Sequence, residues 1–175
     1  MCIRDSYLIQ FHNKMPQIVP KLGMTPVGPA PVGHYIAYQE KIKAFGASAS
    51  KTFGDYNVAA ELSFRDNQDL ASTQGFDTSA LAPVANNNSS NPAYAVGRTA
   101  HLNISVLGSV PRTPLWGEAT IAGEIAWNRV LKITKNATAA DPNATRDGVA
   151  MRVVFEPKYR QVLPGLDLGC LLYTS

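Results

Sequence analysis

The carboxylates Glu61, Glu118 and Glu124, the histidines His12, His34 and His101, and the cysteines Cys2 and Cys170 have the most chemistry to offer in this sequence. Glu118 and Glu124 share a parity, and paired carboxylates can perform acid–base work. Nothing places a nucleophile beside them. Arg65, Arg152 and Lys158 supply opposing charge, so a wet, charge-balanced face explains these glutamates better than catalysis. The histidines have no metal-ligand spacing. Asp141, Asn143 and Asp147 resemble a calcium loop only loosely, because the central Gly and terminal Glu of that loop are missing. The expectation is therefore no enzyme, no metal and no cofactor. The polar tract Asn86 to Asn91 is expected to be an exposed, mobile loop tip.

The cysteines fall with the chain ends. MCIRDS can be encoded by ATG TGT ATA AGA GAC AG and one further base. The reverse complement of that oligonucleotide, read from its second base, encodes CLLYT and opens a Ser codon, as in Cys170 to Ser175. We read residues 1–6 and 170–175 as translations of one sequencing adapter, of the kind found on metagenomic reads. Residues 7–169 are then a partial domain, and fold reasoning applies to them alone. On that reading there is no disulfide to consider.

Charge is mixed, with 16 Lys and Arg against 13 Asp and Glu. No dense basic run points to nucleic acid. No apolar run approaches the ~18 residues of a membrane helix.

The elements that must carry these residues are strands, because the hydropathy period is two. Tyr56, Val58, Ala60, Leu62 and Phe64 alternate with Asn57, Glu61, Ser63 and Arg65. Ala100, Leu102, Ile104 and Val106 alternate with Thr99, His101, Asn103 and Ser105. Ala119, Ile121, Ile125 and Trp127 oppose Glu118, Thr120, Glu124 and Asn128. Val149, Met151, Val153 and Phe155 oppose Arg152, Glu156 and Lys158. Less cleanly, Tyr7, Ile9 and Phe11 alternate with Leu8, Gln10 and His12, and Phe45, Ala47 and Ala49 oppose Ala44, Gly46 and Ser48. Strands are predicted at about 7–14, 35–53, 56–65, 98–109, 116–131, 148–160 and 166–169.

Connections alternate in length. Long ones cover 15–34, 66–97 and 132–147, whereas short ones fall at Gly54-Asp55, Pro111 to Pro114 and Gln161 to Gly165. In an up-and-down meander, all long loops then leave from one end and all tight turns from the other. Transmembrane β-barrels have that asymmetry. The fold class expected is all-β, an antiparallel meander forming an open, curved segment of a large transmembrane β-barrel. Its long loops are expected to be loose. Glu61, Arg65, Glu118, Glu124, Arg152, Glu156 and Lys158 would face the lumen. Tyr56, Phe64, Trp116, Trp127, Phe155 and Tyr159 would sit at the membrane interfaces.

The run GHYIAYQEKIKAFGASASKTFGDYNVAAELSFRDNQDL resembles the proteobacterial outer-membrane barrel family catalogued as domain of unknown function 1302. The similar features are the Tyr-rich opening Tyr35 to Tyr38, the Glu40 to Ile42 step, and the Gly46 to Ser50 strand. The Gly54 turn and the Val58 to Arg65 strand continue the match. YLIQFHNKMP and GEIAWNRV resemble two further strands. Asp66 departs from the family, which more often has Pro there. The resemblance implies a β-barrel in the outer membrane of Gram-negative bacteria, with lipid as its partner. The function expected is a non-enzymatic pore or channel for hydrophobic or small solutes. The alternatives are a plugged structural or adhesive barrel binding through its long loops, and a soluble periplasmic β domain.

Overall fold

The computed structural model describes residues 2–73, 75–82 and 85–174. Its strands are β1 (Cys2–Phe11), β2 (Gln17–Thr25), β3 (Gly28–Ala37), β4 (Ile42–Phe53) and β5 (Tyr56–Asp69). They continue as β6 (Val96–Val110), β7 (Glu118–Lys135), β8 (Asp147–Leu163), β9 (Leu166–Gly169) and β10 (Leu172–Thr174). Among the described residues the helical content is a single 3₁₀ turn at Ala137–Ala139.

One antiparallel sheet runs β1-β4-β5-β6-β7-β8, with β9 and β10 both against the far side of β8. It is a meander, and it does not close: β1 leaves one edge free and β9 with β10 the other. The terminal hexapeptides take part, since Cys2 to Ser6 pair with β4 and Leu172 to Thr174 pair with β8.

The tight turns follow from their residues. Gly54 takes φ 57 between the paired Phe53 and Tyr56, the left-handed backbone a two-residue hairpin demands. Pro164 and Gly165, with φ 82 at the glycine, suit a type II turn between Leu163 and Leu166.

Two expected elements differ. The 35–53 segment is not one strand. Lys41 adopts φ 56 and stops the pairing, so Tyr35 to Ala37 belong to β3 and Ile42 opens β4. The expected 15–34 loop is mostly a hairpin, β2 paired with β3, with a bulge between Lys21 and Leu22.

The register sorts the side chains onto two faces. Ala60, Ile104, Ile125 and Met151 form one cross-strand row, and Leu62, Leu102, Trp127 and Val149 form the next. The opposite face carries Glu61, Asn103, Ser105, Glu124 and Arg152. One strand is inverted relative to its apolar pattern. Tyr7, Ile9 and Phe11 pair with Gly46, Ala44 and Ile42, which puts them on the face of Glu61, while Leu8 joins Phe45 and Phe64. That end of the polar face is locally apolar, with Ile42 and Ala44 buried.

Tyr56 lies across Gly108 on the apolar face, and a Cβ there would overlap its ring. Bare backbone makes room for the aromatic. Gly108→Val is expected to lower the midpoint of heat-induced unfolding, at a cost of about 1–3 kcal/mol. Adding Tyr56→Ala should recover part of that loss. An unchanged midpoint for the single variant would refute the packing argument.

The largest buried cluster gathers where the β2–β3 hairpin and the connection before β6 meet the end of the sheet. Val19, Ala37, Ala93, Tyr94 and Val96 form it, with Tyr35 packed alongside. The expectation of loose loops is corrected here. Asp77 exchanges backbone hydrogen bonds with Pro20 and Leu22, Ala71 bonds to Asp141, and Asn136 donates to the Pro92 carbonyl at 3.1 Å. The three long connections are thereby tied into one cap at the same end of the sheet.

Candidate functional site

The sheet presents three features: a polar face, an apolar face and a loop cap. On the polar face, Glu118 stands directly opposite Lys158, Thr120 opposite Glu156, and Glu124 opposite Arg152. Opposite charges so placed stabilise a sheet. Arg160 reaches Glu118 at 2.9 Å, and Asn103 donates to Glu124. The Arg160–Glu118 pair is more than half exposed, so it contributes little to stability. Glu61 lies beyond β6 from this group and accepts a hydrogen bond from the Tyr7 hydroxyl at 2.7 Å. Arg65 stands opposite Thr99 on the same face. All seven expected polar-face charges are therefore on one side, with five gathered along β7 and β8. The arrangement is a charged wall.

On the apolar face, Tyr56 and Phe155 share a row through Gly108 and Ile121. Trp116 meets Phe155 edge to face at 5.4 Å between centroids. Tyr159 lies further toward the tight turns. Phe64 and Trp127 lie toward the long loops, in adjacent rows. On β8, Phe155 and Tyr159 both fall at the turn end. Its other end finishes at Val149. Between Tyr56 and Phe64 run nine residues inclusive. That matches the ~9–11 that a tilted strand needs to cross a bilayer.

The cap has its own polar bond. The Tyr94 hydroxyl donates to Gln39 Oε1 at 2.8 Å, both residues being fully buried. Burial holds the Tyr94 phenol far above its ordinary range, with Asp69 adding to the effect. In the polar tract, Asn87 Oδ1 accepts the backbone N–H groups of Ser89, Ser90 and Asn91. The tip expected to be mobile is a side-chain-capped turn. The Asp141, Asn143 and Asp147 loop is likewise spent locally: Asp141 caps Asn143, and Asp147 faces Arg129 at 3.5 Å.

The histidines stay apart. His12 accepts from the Lys41 backbone, His34 lies in β3, and His101 sits beside Thr99 at 2.9 Å. Among the described residues no three His, Cys, Asp or Glu side chains gather as a metal site.

Sequence reasoning missed a cluster of cations on the apolar side, just beyond Phe45 and Phe64. Lys43 and Arg98 occupy positions whose parity is that of the apolar face, and a register shift between Arg98 and Thr99 brings Lys132 opposite Arg98. Charge at apolar parity was the signal that could have found the first two.

A comparison with curated proteins and one with solved structures returned no match. The profile of the family described as protein of unknown function (DUF1302) matches residues 5–175. This is the family whose strand motifs the 35–65 block resembles, and the chain belongs to it.

Proposed function

We propose that this chain forms part of the wall of an outer-membrane β-barrel, whose charged inner face provides a non-enzymatic path for small solutes. The single observation that carries the reading is the sorting of the sheet into two faces. One is an apolar band bounded by Tyr56 and Phe155 at one end and Phe64 and Trp127 at the other. The other carries the Glu118–Lys158 and Glu124–Arg152 pairs. Alternation of lipid-facing and lumen-facing residues, with aromatic girdles, is the design of such barrels. Free edges at β1 and at β9 and β10 are not tolerated in lipid, so further strands must pair with both. The lining favours polar solutes over hydrophobic ones.

The gene product carrying this segment should float with membranes, migrate as a heat-modifiable band, and conduct in planar bilayers. A protein that stays soluble without detergent would end this reading in favour of a soluble periplasmic domain. The packed cap favours a second reading, a plugged barrel that binds through its loops. A heat-modifiable band with no conductance would select it. If the path is open, Arg152→Glu places a second carboxylate beside Glu124 and should shift the reversal potential toward cation selectivity. An unchanged potential would remove Arg152 from the conducting path.

A further inference from the structure

Two clefts meet on the apolar side of the sheet, just beyond the Phe45 and Phe64 rings. The lower cleft, about 270 Å³, is walled by Leu8, Phe45, Phe64 and Leu131. The upper one, about 390 Å³, is lined by Lys41, Lys43, Arg98 and Lys135 against the carboxylates Glu40 and Asp66. Lys43, Asp66 and Arg98 border both. The groove below is almost purely apolar and the rim above carries net positive charge.

The cations of the rim are under-compensated. Asp66 accepts only the Nε–H of Arg98, at 2.7 Å, and leaves the terminal guanidinium nitrogens without a hydrogen-bond partner among the described residues. Lys135 donates to neutral acceptors alone, Asn67 Oδ1 at 3.0 Å and the Ser89 carbonyl at 2.7 Å. No carboxylate lies within ion-pair distance of Lys43 among the described residues. Arg98 and Lys132 are direct cross-strand partners, and like charges so placed destabilise a sheet. An anion seated on the rim would relieve that repulsion.

We propose that this paired cleft binds a lipid with a phosphate-bearing headgroup. Lys43, Arg98 and Lys135 hold the phosphate, and an acyl chain lies along Leu8, Phe45, Phe64 and Leu131. The proposal rests on the reading of this face as lipid-facing. It goes beyond that reading by naming a lipid chemistry and a fixed seat for it. A forked guanidinium suits phosphate oxygens. The position fits too, because a headgroup belongs at the level where the apolar band ends and charge begins. Neither a purely hydrophobic surface nor a free-phosphate site needs both halves of the cleft.

The test uses the detergent-purified gene product carrying this segment, with native mass spectrometry and calorimetric titration as readouts. The probes are short-chain phosphatidic acid, the diacylglycerol with the same chains, and inorganic phosphate. Phosphatidic acid should bind at least about ten-fold more tightly than either other probe. Lys43→Gln with Arg98→Gln should remove that preference while the heat-modifiable band persists. Lys158→Gln, on the opposite face, should leave it intact. Inorganic phosphate binding as tightly as phosphatidic acid would overturn the lipid assignment. So would the double variant keeping its preference, or diacylglycerol binding equally well. Absence of the heat-modifiable band in the unmutated protein defeats the barrel reading and this site together. A persistent band without the lipid preference defeats this site alone.

Discussion

Ile125→Arg should abolish membrane assembly of the gene product, while Ser105→Arg, on the neighbouring strand, should leave it nearly intact. Ile125 pairs with Ile104 and Met151 in the row of Ala60. That row lies midway between the Tyr56 and Phe64 rows. At the midplane of a bilayer an arginine on the lipid face costs about 2–4 kcal/mol, whereas one facing the lumen remains hydrated. Ser105 is only one residue from Ile104 but lies on the face of Glu124. The pair of variants thus separates membrane insertion from general damage to the sheet. The measurement is the fraction of heat-modifiable protein in the membrane pellet. Equal loss for both variants, or none for Ile125→Arg, would contradict the two-face assignment.

Tyr94→Ala should open the loop cap at a cost of about 3–5 kcal/mol, the range for deleting a buried aromatic ring. The readout is proteolysis within the 70–95 connection, alongside hydrogen exchange of β2 and β3, whose Val19 and Ala37 pack on that ring. Tyr94→Phe keeps the ring but leaves Gln39 Oε1 buried without its donor, at a cost of about 1–3 kcal/mol. It should fall between the native cap and the alanine variant. The cap should also loosen in alkali. Folding raises the Tyr94 pKa, so its contribution is fully present below the ordinary phenol value near 10 and declines as pH rises above it. Unaltered protease resistance in Tyr94→Ala would show that the cap is held elsewhere.

These two tests probe parts of the molecule that differ in how far sequence announces them. The alternation in 56–65 and 99–106 reads straight into facing rows, because a side-chain period of two maps directly onto the two faces of a sheet. The length asymmetry of the connections placed tight turns at one end and long loops at the other. What stayed hidden has a physical reason in each case. The break at Lys41 is a single left-handed residue of ordinary type. In β1, Tyr7 and Ile9 follow the Gly46 and Ala44 beside them rather than their own apolar parity. The core made by Val19, Ala37 and Tyr94 joins segments more than 50 residues apart, and no local period records such a meeting. Of the candidate site, the polar charges were legible from parity. Among the rim cations, Lys43 and Arg98 carried charge at apolar parity, whereas Lys132 reaches the rim through a register shift that no parity records.

The tight turns also set an order of events. β4 with β5, β6 with β7, and β8 with β9 are each hairpins closed by short connections. Closing a chain costs entropy that grows with the logarithm of the loop, so these pairs can zip early. The Gln39–Tyr94 bond joins residues 55 apart and needs the hairpins in place first. The cap is then a late-forming latch. A nascent chain would present finished hairpins before it hides the side chains that tie its loops, and in that interval Tyr94 and Val19 are still exposed.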